Sequence, residues 1–240
     1  MKFMALATRN FKETYIDLIS LGLVIIFPPI LLLIFQTIGR VDPFFSVTNL
    51  APGLVLFGFA FLSLSSGMLL AKDRDTALLS RLLTGPLSAR DFILAYSLPY
   101  IPVAIIQFIL VFAIGALLGF EVIGNIGLVF LILIVMSVGY IGLGMILGTL
   151  FTYKTVSIAW IAVNLLTIFG GAWFPLDFVG GGMETAMNAL PFAHAVGAAR
   201  DIMANGAGFS DILTDLYWII GYTIVFFAVG VFLFRRRMLD

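Results

Sequence analysis

The sequence predicts an all-α integral membrane protein with six transmembrane helices, and three observations carry that prediction. Hydrophobic residues fill 62% of the 240 positions and charged residues only 11%, against about 25% charged in a soluble chain. Six charge-free apolar runs are long enough to cross a bilayer, which takes about 20 residues at ~1.5 Å rise for a ~30 Å core. They cover 18–38, 50–71, 92–120, 126–151, 155–174 and 216–234. The basic residues then alternate between the intervening segments. Eleven Lys and Arg fall in the two termini, the 72–91 connection and at Lys154, and only Arg40 and Arg200 fall on the other side. Lys and Arg flanking membrane spans stay cytoplasmic, so both termini are expected in the cytoplasm of a multi-pass protein of the cell membrane.

Each element has its own justification. Residues 1–17 set Met4, Phe11, Tyr15 and Leu18 at helical spacing, with Lys2, Arg9 and Lys12 on the remainder. This predicts an amphipathic interfacial helix in the headgroup layer. The 21-residue run that follows is longer than the ~7–15 residues of a signal-peptide core, and no small-residue cleavage site comes after it, so it reads as a retained helix. Pro28-Pro29 in the first span, and Pro99 with Pro102 in the third, predict kinks because each removes a backbone donor. Gly144/Gly148 and Gly115/Gly119 have the four-residue spacing that lets helix backbones approach, and read as packing sites.

Two connections are more than loops. In 72–91, Asp75 or Thr76 can N-cap a short helix whose Leu78, Leu79, Leu82 and Leu83 form an apolar stripe ended by Gly85-Pro86. Ser88 followed by Asp91 resembles a capping box that launches the third span. A short helix fixed between two spans can transmit force. In 175–215, two short external helices, Met183–Leu190 and Ala193–Ala204, are predicted on either side of Pro191.

The chemistry of most enzymes is missing from the residues. No GxxxxGK[ST] phosphate loop occurs, so ATP is not bound by that route. A single histidine and no cysteine cannot make a zinc site of the usual ligand count within one chain. Balanced charge, thirteen basic against thirteen acidic residues, gives no footprint for nucleic acid. No GxSxG motif accompanies Ser63, Ser65 and Ser66, and Glu184 with His194 lacks a third member. Ion-coupled carriers usually place carboxylates inside spans, yet none of the thirteen lies there. The polar residues that do are Ser63, Ser66, Gln107, Tyr140, Ser157, Asn164 and Thr167, which either line a pathway for an amphiphile or bond neighbouring helices, the second being the simpler reading. Energy for transport would have to come from a partner. A scaffold subunit and, less simply, a membrane-embedded enzyme are the competing readings.

The arrangement resembles the membrane subunit of type-2 ABC transporters over nearly all of its length. Four places carry the resemblance: the amphipathic arm entering the first span, Ala51-Pro52-Gly53 at the start of the second, Leu82-Leu83-Thr84-Gly85-Pro86-Leu87-Ser88 in the charged connection, and Gly170-Gly171-Ala172-Trp173-Phe174-Pro175-Leu176 followed by Leu190-Pro191 and Ala199-Arg200. Where the family often has Glu-x-Gly-Thr before the Leu pair, this chain has Asp73-Arg74-Asp75-Thr76. The resemblance implies a permease of an ATP-driven exporter that pairs with a second permease chain and docks on two copies of a separate cytoplasmic ATPase. ATP and Mg would sit on that partner, and this chain would hold no cofactor, no metal and no catalytic residue. The coupling candidates are Asp73, Arg74, Asp75, Thr76, Leu79, Arg81, Leu82 and Leu83. Ser63, Ser66, Gln107, Tyr140, Asn164 and Thr167 are the pathway candidates, and Phe174, Pro175, Met183, Pro191 and His194 those for an external gate. The substrate class implied is hydrophobic or amphiphilic: a drug, an antibiotic, a lipid or a lipid-linked glycan.

Overall fold

A computed structural model describes residues 3–39, 45–85, 87–174, 176 and 180–238. Pro86 and Pro175, and the side chain of Leu83, lie outside the described residues. The described residues are helical with no strand. In chain order the helices are α1 (Met4–Ile16), α2 (Leu18–Leu21), a π-helical turn (Gly22–Ile26), α3 (Phe27–Gly39), α4 (Val47–Asp75), α5 (Ala77–Leu83), α6 (Ala89–Ser97), α7 (Tyr100–Leu117), α8 (Ile126–Leu150) and α9 (Val156–Thr167). A second π turn (Ile168–Ala172), α10 (Gly181–Asn188), α11 (Pro191–Asn205) and α12 (Leu213–Met238) complete the fold.

Five stretches among the described residues are long and apolar enough to cross a membrane: Leu18–Thr37, Val47–Asp75, Ala89–Leu117, Ile126–Leu150 and Leu213–Met238. The fifth predicted span, 155–174, forms a shorter apolar helix, Val156–Ala172. Its twelve α-helical residues and five π-helical ones reach about 25 Å, and Gly171 (φ +95°) breaks the helix there.

α4 is the axis of the molecule, with 83% of its apolar window buried, whereas the windows of α12 and Leu18–Thr37 are 17% and 22% buried. Backbone proximity explains its closest neighbour. A Cβ on Gly67 would fall 2.8 Å from the Gly144 carbonyl, and one on Gly148 would fall 2.5 Å from that of Gly67. Small residues on both helices thus let α4 and α8 touch backbone to backbone, as the Gly144/Gly148 spacing predicts. The Gly115/Gly119 pair differs. α7 ends at Leu117, and Gly119 (φ +82°) closes a Schellman turn in which Phe120 N donates to Gly115 O (3.0 Å) and Gly119 N to Ala116 O (3.2 Å). An aromatic seam joins α3, α4 and the 156–172 helix: Phe27 meets Phe61 edge-on at 5.8 Å, Phe61 meets Trp160 at 4.9 Å, and Phe57 meets Trp173 at 4.9 Å.

The proline expectations hold at the third span, which divides into α6 and α7 at Leu98-Pro99. In the first span the wide turn Gly22–Ile26 directly precedes Phe27-Pro28-Pro29, since neither proline can donate to a carbonyl one turn earlier. The predicted boundary at 71/72 moves. α4 continues to Asp75, so Lys72, Asp73, Arg74 and Asp75 form its last turn rather than part of a connection. Pro191 stands at the boundary between α10 and α11 as the first residue of α11, where a missing N–H costs nothing.

Candidate functional site

Most of the basic side chains gather at one end of the bundle, where α1, the end of α4, α5, α6 and the 150–156 connection meet. α1 turns Leu6, Ala7, Asn10 and Thr14 into the protein and leaves Met4, Tyr15 and Ile16 exposed. The Phe11 and Tyr15 rings stack one turn apart (6.1 Å). The apolar stripe read from the sequence therefore faces outward, and a second, more polar face does the packing.

That inner face is anchored on Asp73. The residue is 1% exposed, and its carboxylate receives two guanidinium nitrogens of Arg9, one at 3.0 Å, together with the Tyr96 phenol at 2.7 Å. Asn10 donates to the Ala95 carbonyl beside it (3.1 Å). Three helices, α1, α4 and α6, thus converge on one buried anion. Burial alone would lower the Arg9 pKa, but the hydrogen bond and charge of Asp73, with Tyr96 and Glu13 adding to them, raise it above its ordinary value. A buried carboxylate held by a cation and a phenol fixes geometry, because every alternative leaves a charge unpaired.

The neighbouring residues are spent differently. Arg74 donates to the Thr149 and Phe151 carbonyls (2.7 Å to the latter), and Arg237 donates to those of Thr149 (3.4 Å) and Leu150 (2.9 Å). Two arginines thereby cap the carbonyl end of α8, where both hydrogen bonding and the helix dipole favour cations. Asp75 accepts from Tyr153 N (2.7 Å) and from Arg74 (3.4 Å). Thr76 occupies the position before α5, yet its hydroxyl donates backward to Asp73 O (3.1 Å) instead of capping α5. Leu79 is fully buried, Leu82 packs on the core, and Arg81 is exposed. The Ser88–Asp91 capping box is present as predicted, with Ser88 N to Asp91 Oδ2 at 2.9 Å and Asp91 N to Ser88 Oγ at 3.3 Å.

Of the coupling candidates, Arg81 presents itself to solvent, Asp75 does so in part, and Asp73 and Arg74 are committed to contacts inside the chain. The pathway candidates share this inward commitment. Ser63, Ser66, Gln107, Tyr140 and Thr167 are fully buried. Ser63 donates to Ala60 O (2.7 Å) and Ser66 to Ser63 O (3.2 Å), within α4 itself. Tyr140 and Thr167 share a hydrogen bond of 2.7 Å across α8 and α9, and Gln107 reaches Val55 O at 3.4 Å. In a single chain Tyr140, Thr167 and Gln107 bond helices together, while the two serines bond only within their own helix. Asn164 is half-buried and its amide nitrogen has no partner.

The described gate candidates lie toward the opposite end. Phe174 and Met183 are exposed and Pro191 is buried. His194 is stacked on Trp218 (5.0 Å) between Asp215 Oδ1 (2.6 Å) and Asn188 O (2.9 Å), so its acidic partner is Asp215 and not Glu184. Arg200 donates to Asn49 O (2.8 Å) and lies 3.5 Å from Ala172 O, tying α11 to α4 and to the second π turn. Burial lowers its pKa to about 10, which leaves it charged at neutral pH.

Residues 1–204 match the family model described as ABC-2 type transporter. The chain belongs to the ABC-2 type transporter family. Among curated proteins it is similar to ABC transporter G family member 20 of Dictyostelium discoideum, with 29% identity over 191 residues. That alignment covers 75% of this chain but 26% of the relative, so the chain spans about a quarter of the relative's length. Membership in the ABC-2 family makes it a multi-pass membrane component of a transporter.

Proposed function

We propose that this ABC-2 domain is the permease of an ATP-driven exporter, and that its basic end is the surface on which a separate ATPase works. In this reading the basic end is cytoplasmic and the Val156–Ala172 helix completes a six-span topology. Two chains pair, and each receives one ATPase carrying ATP and Mg. The observation that carries the reading is the mounting of α5. This short helix sits between the ends of α4 and α6 with Leu79 buried beneath it and Arg81 outward, and those ends are locked to α1 through Asp73. A push on α5 or α1 is then delivered to α4, the axis of the bundle, rather than lost in a flexible loop. Exported compounds would be hydrophobic or amphiphilic and would travel between the two permease chains, with Phe174, Met183 and the α10–α11 segment over the exit.

Affinity purification of the chain from its native membrane, followed by identification of co-purifying protein and an ATPase assay, tests the reading. An ATPase at equal stoichiometry is expected. Its absence after crosslinking through α5 would overturn the motor-driven mechanism. Asp75→Lys combined with Arg81→Glu is expected to abolish transport while leaving membrane insertion intact, and unchanged transport with normally coupled ATP hydrolysis would place the contact elsewhere.

A further inference from the structure

The chain has one histidine, and three helices meet on it at the end of the bundle away from the arginines. His194 closes the first turn of α11. Its Nδ1 lies 2.6 Å from Asp215 Oδ1 at the start of α12, and its Nε2 lies 2.9 Å from the carbonyl of Asn188, the last residue of α10. The ring is stacked almost parallel on Trp218 at 5.0 Å. Its side chain is 16% exposed, so water does not replace a lost partner freely, while Asp215, at 28%, gives protons a way in.

Both ring nitrogens face acceptors. A carbonyl oxygen has no hydrogen to give, and a carboxylate has none unless it takes one up. Closing both contacts therefore takes two protons, whether the one shared with Asp215 rests on the ring or on the carboxylate. A neutral imidazole opposite a carboxylate brings one. The charged partner claims it, because charge-assisted hydrogen bonds are roughly twice as strong as neutral ones. Nε2 then turns a lone pair toward the Asn188 oxygen, and that contact no longer holds.

Little else fastens α10. Of its residues Met187 alone is buried, and past its end the Tyr222 phenol donates to Ala189 O (2.7 Å). Among the described residues, the ionisable groups on the elements packed against α11 at this end are Asp215, Tyr217 and Tyr222 on α12, Glu184 on α10 and Tyr140 on α8; α4, α9 and the second π turn bring no charged side chain here. Of these, Asp215 is the one charged group within ion-pair distance of His194.

We propose that the second proton of the His194–Asp215 pair is a latch: with it, the end of α10 is fastened to α11 and α12, and its loss frees α10 by stripping the hydrogen bond to Asn188. The latch is closed at low pH and opens as pH rises through the titration of the pair. It does not depend on the permease reading; taken with that reading, it makes the cover of the exit respond to pH outside the cell.

The test uses the full chain, purified without a histidine tag and held in phosphatidylcholine nanodiscs, between about pH 5 and about pH 9, a range that brackets the ordinary imidazole value of about 6.5. Nitrogen NMR of isotope-labelled histidine reads His194 alone, since the chain has no other. Nε2 is expected to be the nitrogen that loses its proton. Hydrogen–deuterium exchange of residues 181–190, corrected for the intrinsic effect of pH, should rise about tenfold in step with that loss, the scale of one charge-assisted hydrogen bond. His194→Gln, which has no proton to lose in this range, should make that exchange independent of pH. Asp215→Asn should do the opposite of a damaging substitution: its amide can donate to Nδ1, the remaining ring proton goes to Nε2, and α10 stays protected at high pH. Loss of the proton from Nδ1, no proton loss or no change in exchange across the range, pH dependence surviving in His194→Gln, or the wild-type release in Asp215→Asn each overturns the proposal. Failure of the latch would leave the permease reading standing, and absence of an ATPase partner would leave the latch standing.

Discussion

Replacing Arg9 with alanine is expected to release α1 from the bundle. The substitution strips both guanidinium contacts from Asp73, whose carboxylate would keep only the Tyr96 phenol while staying buried. Breaking a buried ion pair from one side costs about 3–5 kcal/mol. The Arg9 side chain is 32% exposed, so water reaches the vacated place and the lower figure, about 3 kcal/mol, applies. At about 1.4 kcal/mol per factor of ten, the opening equilibrium of α1 should rise roughly a hundredfold. Hydrogen–deuterium exchange of the peptide covering residues 4–16, measured on the chain in nanodiscs, reads that opening directly. Asp73→Asn removes the charge that Arg9→Ala leaves stranded, so the double variant should cost less than the two single ones together, with a coupling of about 2 kcal/mol. Exchange within threefold of the wild type in Arg9→Ala, or strictly additive single effects, would refute the idea that Asp73 holds these helices together.

The other structural predictions are simpler. Arg74→Ala and Arg237→Ala each uncover carbonyls at the end of α8 and should cost about 1–2 kcal/mol, seen as a lowered midpoint in thermal scanning of the detergent-solubilised chain. Gly67→Leu should be worse than either, because overpacking costs about 1–3 kcal/mol and a Cβ at this position already meets the Gly144 carbonyl; a midpoint equal to that of the wild type would contradict the backbone contact. Ser88→Ala should weaken the start of α6 by about 1 kcal/mol, read as faster exchange in residues 89–93 with α8 unaffected.

What the sequence discloses and what it hides divides along contact distance. The break at Leu98-Pro99, the capping box at Ser88 and Asp91, and the glycine contacts of α8 are set by neighbours one turn away or by residue size, and all are legible from the order of residues alone. The fates of Asp73 and Arg74 are not. Their partners lie 64 and 75 positions away in sequence, and a charged run next to a membrane span reads as solvated until the fold brings Arg9 and Thr149 to it. The same holds for α4, whose regular apolar pattern continues past 71 through charged residues that are satisfied by other helices. Asp73 does carry one local signal: it stands where the α4 period places an inward position, four residues after the buried Leu69.

The hydroxyls of α4 bear on how such a chain is assembled. Ser63, Ser65 and Ser66 each donate to a carbonyl of their own helix, three or four residues back. α4 is synthesised well before α8, the helix its glycine contacts, and α6 and α7 come in between. During that interval it must reside in lipid with its future interior uncovered. Because these three serine hydroxyls are already satisfied within the helix, waiting there strands none of their protons in hydrocarbon. The most deeply enclosed helix of the finished protein is therefore also one that can tolerate being temporarily alone.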